Sequence, residues 1–315
     1  MNSNNIFITD YIKEPIIEKK IINKNFLNEK NKFNATVLLV WHNTCDKEYL
    51  KKFKKLKLIV RYGVGTDNID LNYCKERKIK VANTPDYGVS EVSDTSLAMI
   101  MYFIRKIGIY NHKIQKNFGG WQLDIIKSIK RSKTLNVGII GFGRIGKELA
   151  KKLNFIGFNC FYFDPFIMHN KKIKFANKIH NLKKILNQSD IISINCTLTD
   201  SSSGMVNKSF LKNMKKGSIL INTSRGQVID NLKNLYNHMN KNKLFCLGLD
   251  VLPDEPPSFN NPLIKKWRSR KFDGRLIINP HTAYYSQESF ISMREKAAQN
   301  VLLFLKKKRI RNRII

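Results

Sequence analysis

The stretch from Asn136 to Ile156 leaves little choice of fold. An apolar run, Val137-Gly138-Ile139-Ile140, leads directly into Gly141-Phe142-Gly143-Arg144-Ile145-Gly146. Apolar residues then recur at Leu149, Ala150, Leu153 and Ile156, the spacing of one helix face. This is G-x-G-x-x-G in a strand–turn–helix setting. The first glycine permits the tight turn, the second lets the backbone approach a pyrophosphate, and the third lets helix pack on strand. Amide groups of Gly143, Arg144, Ile145 and Gly146 at the helix start favour an anion there. The next β-rich run, Phe161-Tyr162-Phe163, ends in Asp164, about where a dinucleotide site places the acid that accepts from the adenosine ribose hydroxyls. That carboxylate would repel a 2′-phosphate, so NAD is expected over NADP.

The rest of the chain alternates in the same way. Strands are expected at Asn5–Ile8, Thr36–Val40, Leu58–Val60 and Lys80–Asn83. A second series is expected at Asn136–Ile140, Cys160–Phe163, Ile191–Asn195, Ser218–Asn222, Cys246–Asp250 and Leu276–Asn279. Helical patterns separate them. Two are long: one opens near Ser90 and reaches about Asn117, and one spans about Gln287 to Lys307. Such alternation predicts parallel sheets with helices on both faces, and two series predict two α/β domains. A length of 315 residues suits that count.

Charge is the other conspicuous property. Lys and Arg number 57 against 24 Asp and Glu, a formal net charge of +33. A nucleic-acid binder concentrates its charge on one stripe or arm. Here the lysines are spread along the whole chain, which argues against a nucleic-acid partner, and only Lys306 to Arg313 (KKKRIRNR) is left to test for nonspecific binding. No apolar run reaches the length of a membrane span. Met1-Asn2-Ser3-Asn4-Asn5 does not read as a secretion leader. Cys45, Cys74, Cys160, Cys196 and Cys246 are scattered, with no C-x-x-C pair, and no histidine spacing suits a metal. A reduced, cytoplasmic setting without a metal is expected.

Chemistry-bearing residues follow three of the expected strands. Ser218–Asn222 runs into Thr223-Ser224-Arg225-Gly226, Cys246–Asp250 into Val251-Leu252-Pro253-Asp254-Glu255-Pro256, and Leu276–Asn279 into Pro280-His281. Ligands bind at that end of the strands in doubly wound sheets.

These elements, with Arg61-Tyr62-Gly63-Val64-Gly65-Thr66-Asp67-Asn68-Ile69-Asp70, resemble the D-isomer-specific 2-hydroxyacid dehydrogenases over about Thr36 to Leu305. Three segments resemble the C-terminal-binding-protein-like branch: Ile156-Gly157-Phe158-Asn159 through Asp164-Pro165, His281-Thr282-Ala283-Tyr284-Tyr285-Ser286, and Met293–Ala298. The resemblance implies two Rossmann-like domains, doubly wound parallel sheets. An NAD-binding domain at 105–287 would be inserted into a discontinuous substrate domain, 1–104 and 288–315, with the two long helices as hinge. It implies hydride transfer between NAD and a D-2-hydroxy or 2-oxo acid. His281 would be the acid/base, Glu255 its partner and Arg225 the binder of the substrate carboxylate and carbonyl. Arg61 and the amides of Gly63, Val64 and Gly65 would hold the carboxylate from the substrate domain. Gly141, Gly143, Arg144, Ile145, Gly146, Asp164, Cys196, Thr197, Thr223 and Asp250 would contact NAD, Asp250 receiving the carboxamide. With Thr197 where the family has proline, a less rigid cofactor loop is expected. Tyr284 would form an aromatic wall suited to an apolar or thioether 2-oxo acid. A homodimer is expected. The resemblance also implies an alternative, an NADH-sensing interaction protein like the corepressors.

Overall fold

The computed structural model describes residues 5–10, 12, 14–122, 126, 129–167 and 173–315. Met1 to Asn4, on which part of the leader reading rests, lie outside them. The chain forms two compact units, Met1–Gly88 with Tyr285–Ile315, and Val89–Tyr284.

The first unit carries a parallel sheet of β1 (Ile6–Ile8), β2 (Val37–Val40), β3 (Leu58–Arg61) and β4 (Lys80–Ala82), in that order. Its strands are the β-branched runs read from the sequence, and β2 is buried at every position. That is the pattern of a strand covered on both faces. An isolated parallel bridge joins Phe26 to Ile6 of β1. At the opposite edge the C-terminus closes the sheet. Arg313 forms an antiparallel bridge with Ala82, Ile314 N donates to Val81 O, and Ile310 is buried. The basic KKKRIRNR run is therefore not a free arm. Its second half is pinned along β4 and its lysines are exposed.

Among its described residues, the second unit holds seven strands: β5 (Asn136–Ile140), β6 (Asn159–Phe163), β7 (Asn177–Lys178), β8 (Ile191–Ile194), β9 (Ser218–Asn222), β10 (Leu244–Leu249) and β11 (Leu276–Ile278). All pair in parallel, in the order β11-β10-β9-β8-β5-β6-β7. The direction of winding reverses between β5 and β8, the crevice where doubly wound sheets bind ligands. Side chains of successive residues go to opposite faces. Val137 and Ile139 join a core with Leu149, Leu153 and Phe103, whereas Ile192, Leu220 and Leu247 join one with Ile185, Leu235 and Leu263. The two-residue β7 has no apolar run, which is why its pattern does not stand out in the sequence.

Two expectations are corrected. The helix expected from Ser90 to Asn117 is two helices, Val89–Ile104 and Ile107–Lys116. Lys106 breaks it with φ of 56°, and its ammonium sits 3.7 Å from the centre of the Phe245 ring. The first of these helices belongs to the second unit rather than the first. Met99, Ile100, Phe103 and Ile104 pack into that unit's core, so the division falls after Gly88, not after residue 104. The other division falls after Tyr284, just before Ser286 caps the Gln287–Leu305 helix in a reciprocal pair with Ser289.

Candidate active site

Because every strand of the second unit points the same way, all its C-terminal ends lie on one edge. Read along the sheet order, that edge presents His281, Asp250, Thr223 with Arg225, Cys196 with Thr197, Gly141 and Asp164.

The glycine turn is built by close approach. Gly141 has φ of +87°, and a Cβ there would lie 2.5 Å from backbone atoms of Cys196, across the reversal of the sheet. A Cβ on Gly146 would lie 2.3 Å from the Gly141 carbonyl oxygen. At Gly143 a Cβ would meet nothing within 4 Å. Gly143 begins the Arg144–Ile156 helix, and no side chain caps it. An open, uncapped helix start is what a pyrophosphate requires. Asp164 follows β6 and accepts from the amides of Phe142 (2.8 Å) and Phe166 (2.9 Å). A carboxylate offers about four acceptor sites, so these bonds fix its position and leave capacity for ribose hydroxyls. Phe142 itself is buried and stacks on Tyr162 at 3.8 Å.

The loop after β8 is more constrained than its sequence suggested. Ser202 donates to the Thr197 carbonyl (2.7 Å) and accepts from the Thr199 amide (2.8 Å). A buried hydroxyl thus braces the loop at Thr197. Burial pushes the Cys196 thiol up to about 11, so it is a neutral wall rather than a nucleophile.

The ends of β9, β10 and β11 gather the polar groups. His281 Nδ1 lies 2.8 Å from Glu255 Oε2, while Glu255 Oε1 accepts from the Leu252 amide at 2.8 Å. Burial pushes the Glu255 carboxyl up, but the hydrogen bond and charge of His281, the Leu252 amide and the Arg225 charge outweigh it, and the group is held below its usual range. Arg225 donates through Nη1 to the Ser224 carbonyl and leads into the Gly226–Val228 turn. A Cβ at Gly226 would lie 1.8 Å from the Leu252 carbonyl oxygen, so only glycine lets the Arg225 loop pack on the loop that carries Glu255. Thr223 is buried and shares a hydrogen bond with Ser96 at 2.8 Å.

Asp250 has a task its sequence position did not reveal. It is 1% exposed, and its carboxylate accepts from the amides of Thr282 and Ala283 at 3.0 Å. Its own carbonyl accepts from the His281 amide at 2.8 Å. His281 has φ of 56°, a left-handed conformation, and Asp250 holds the chain on either side of that bend. Burial pushes the Asp250 carboxyl up despite these bonds. Tyr284 follows, half-buried. Asn222 is a second supporting residue missed in the sequence: Oδ1 accepts from Ser224 and Nδ2 donates to the Arg225 carbonyl.

In the first unit, Arg61 ends β3 and donates to the Tyr62 carbonyl. The Gly63 amide donates to Thr84 Oγ1 at 2.6 Å, so it is not available to a ligand as expected. The Val64 and Gly65 amides make no hydrogen bond among the described residues. No group of three or more His, Cys, Asp or Glu among the described residues is placed to hold a metal.

Residues 97–283 match the family profile described as the D-isomer specific 2-hydroxyacid dehydrogenase NAD-binding domain. Over 310 residues the chain is 28% identical to a D-3-phosphoglycerate dehydrogenase of Archaeoglobus fulgidus, covering 97% of this chain and 56% of that protein, so it spans little more than half of that relative's length. It is 29% identical over 262 residues to a glyoxylate reductase of Korarchaeum cryptofilum, covering 82% and 76% of the two chains. A solved structure of D-lactate dehydrogenase from Aquifex aeolicus, in complex with NAD and lactic acid, superposes with a TM-score of 0.82 at 27% identity, covering 96% of each chain.

Proposed function

Because the chain belongs to the D-isomer-specific 2-hydroxyacid dehydrogenase family, we propose that it interconverts a D-2-hydroxy acid and its 2-oxo acid with NAD. The observation that carries this reading is the His281–Glu255 pair at 2.8 Å, beside Arg225 at one end of the edge that carries the glycine turn at the other.

The residues fit the cofactor. The uncapped helix start at Gly143, the space there and the fixed Asp164 carboxylate would take the pyrophosphate and the adenosine ribose. Arg144, Ile145 and Gly146 contribute the helix-start amides, while Cys196, Thr197 and Thr223 line the same edge. When bound there, NADH would supply the hydride for the substrate's carbonyl carbon. Arg225 forms a two-pronged ion pair with the substrate carboxylate and draws charge toward the carbonyl oxygen. With Nδ1 tied to Glu255, Nε2 of His281 is the ring nitrogen that delivers a proton to that oxygen. The ionised Glu255 fixes the tautomer and stabilises the ring's positive charge. Asp250 keeps His281 in place by gripping the loop on both sides of it. On the first unit, Arg61 and the Val64 and Gly65 amides are the groups that would take a substrate carboxylate. Tyr284 faces the substrate side chain and favours apolar or thioether groups.

The relatives' names make glyoxylate, pyruvate and 3-phosphohydroxypyruvate the first members of an assay panel, with branched-chain and thioether 2-oxo acids added for Tyr284. NADH oxidation with at least one of them is expected, falling about 10²- to 10⁴-fold in His281→Ala. Tight NADH binding without turnover of any 2-oxo acid would instead favour the NADH-sensing interaction protein. A homodimer through the second unit fits the exposed Phe118 and Trp121 beside the groove of Tyr110 and Ile114, and light scattering tests it.

A further inference from the structure

The first unit buries a carboxylate that the reaction does not use. Glu18, on the Ile16–Ile22 helix, is 0% exposed. Its Oε1 accepts from Arg294 Nε (2.9 Å) and from the Tyr62 hydroxyl (2.9 Å), and its Oε2 accepts from Arg294 Nη2 (2.6 Å). Arg294 stands on the Gln287–Leu305 helix and also donates to the Glu14 carbonyl at 3.1 Å. Its guanidinium lies over the Phe290 ring, which packs on Trp41.

Such a group is a poor investment in stability. Removing a carboxylate and a guanidinium from water costs as much as their attraction returns, and apolar residues of similar volume would hold the same helices together. What an ion pair adds is direction, because its hydrogen bonds are satisfied in one arrangement only. The third partner shows what is being directed. Tyr62 is fully buried, it is the first residue beyond β3, and it shares a peptide bond with Gly63.

The turn that follows is held on its other flank by the end of β4. Thr84 takes the Gly63 amide, its own amide donates to the Gly63 carbonyl (3.0 Å), and Asn83 donates to the Val64 carbonyl (2.6 Å). With those groups engaged, the Val64 and Gly65 amides remain for a ligand, and Val64 stands exposed. Thr84 and Asn83 restrain the turn from one side, and the Tyr62 phenol restrains it from the other. A shift of the Tyr62 ring would swing the two amides, since Gly63 at φ of +137° resists little by itself.

We propose that Glu18, Arg294 and Tyr62 form a clamp that positions the Gly63–Gly65 turn so that the Val64 and Gly65 amides meet the substrate carboxylate. The clamp residues are positioning residues, and the substrate half of this proposal rests on the 2-oxo acid reading above.

Tyr62→Phe removes one hydroxyl and leaves the ion pair intact, so it is the variant of choice. Arg294→Lys, which keeps the charge and loses the two-pronged geometry, is the second. Both are expected to raise KM for the 2-oxo acid about tenfold, with kcat and NADH affinity within about twofold. Hydrogen–deuterium exchange should become faster in the peptide spanning residues 62–68 and stay unchanged around Gly141–Gly146 in the other unit. Lower thermal stability with unchanged KM and unchanged exchange at 62–68 would overturn the clamp. If the wild type turns over no 2-oxo acid, the functional reading fails instead, and the exchange at 62–68 alone decides whether the clamp holds the turn.

Discussion

Gly226→Ala adds a single methyl group at a point where two loops of the candidate site touch. A Cβ there would lie 1.8 Å from the Leu252 carbonyl oxygen and 1.9 Å from its carbonyl carbon. Both are backbone atoms, so no side chain can rotate away. To reach even 3.0 Å, the loop carrying Arg225 and the loop carrying Glu255 must part by at least about 1.2 Å. Misplacing a catalytic group by about 1 Å costs roughly 10²-fold in rate, or about 2.7 kcal/mol of transition-state stabilisation. The overpacking itself should cost about 1–3 kcal/mol of stability, which leaves the unit folded at room temperature. Gly226→Ala is therefore expected to lower kcat/KM about 100-fold or more for whichever 2-oxo acid the wild type accepts. NADH affinity should change little, because Gly141, Gly143 and Asp164 follow β5 and β6, away from this contact. The assay is steady-state NADH oxidation, paired with NADH titration by fluorescence and a thermal melt. A folded variant whose kcat/KM falls less than about threefold would refute the argument that this contact sets the Arg225–Glu255 spacing.

Two further outcomes are expected. The Glu255 carboxyl is held below its usual value near 4.5, so the stability it contributes is fully present above that pH and is lost as pH falls through the lowered value. Melting curves of wild type and Glu255→Gln between about pH 3 and pH 7 should differ by a constant amount above about pH 4.5 and converge below it; a gap that widens toward acid would contradict the sign. Deleting residues 310–315 removes the hydrogen bonds that Asn312, Ile314 and Ile315 make along β4, together with buried Ile310. A loss of roughly 3–5 kcal/mol is expected, read as a lower melting temperature. Unchanged melting with a loss of salt-dependent DNA binding would instead point to nonspecific nucleic-acid binding by this stretch.

The fold was legible wherever one local pattern carried the information. Strands buried on both faces had to be unbroken apolar runs, so ten of the eleven strands among the described residues could be placed from the sequence, and of the eleven only β7, with the apolar-free pair Asn177–Lys178, escaped. The Gly141–Gly146 turn was equally plain, because no other residue type tolerates the contacts at Gly141 and Gly146. The break at Lys106 was not. The helical period runs through it, and it is a tertiary contact with Phe245 that stabilises a conformation lysine seldom adopts.

The candidate site divides along the same line. The candidates for the chemistry, among them Arg225, Glu255 and His281, were picked out by the chain alone, since each follows a strand and all the strands of that sheet are parallel. How those residues are held was decided only by the folded structure. Asp250 grips amides 32 and 33 positions away, Ser202 braces the loop at Thr197, and Glu18 meets Arg294 across 276 positions. The physical reason is range. Periodicity and turn chemistry act over a few neighbouring residues and leave a repeating trace. A buried polar group is satisfied by whatever donor the fold brings near, and that pairing leaves no period in the sequence.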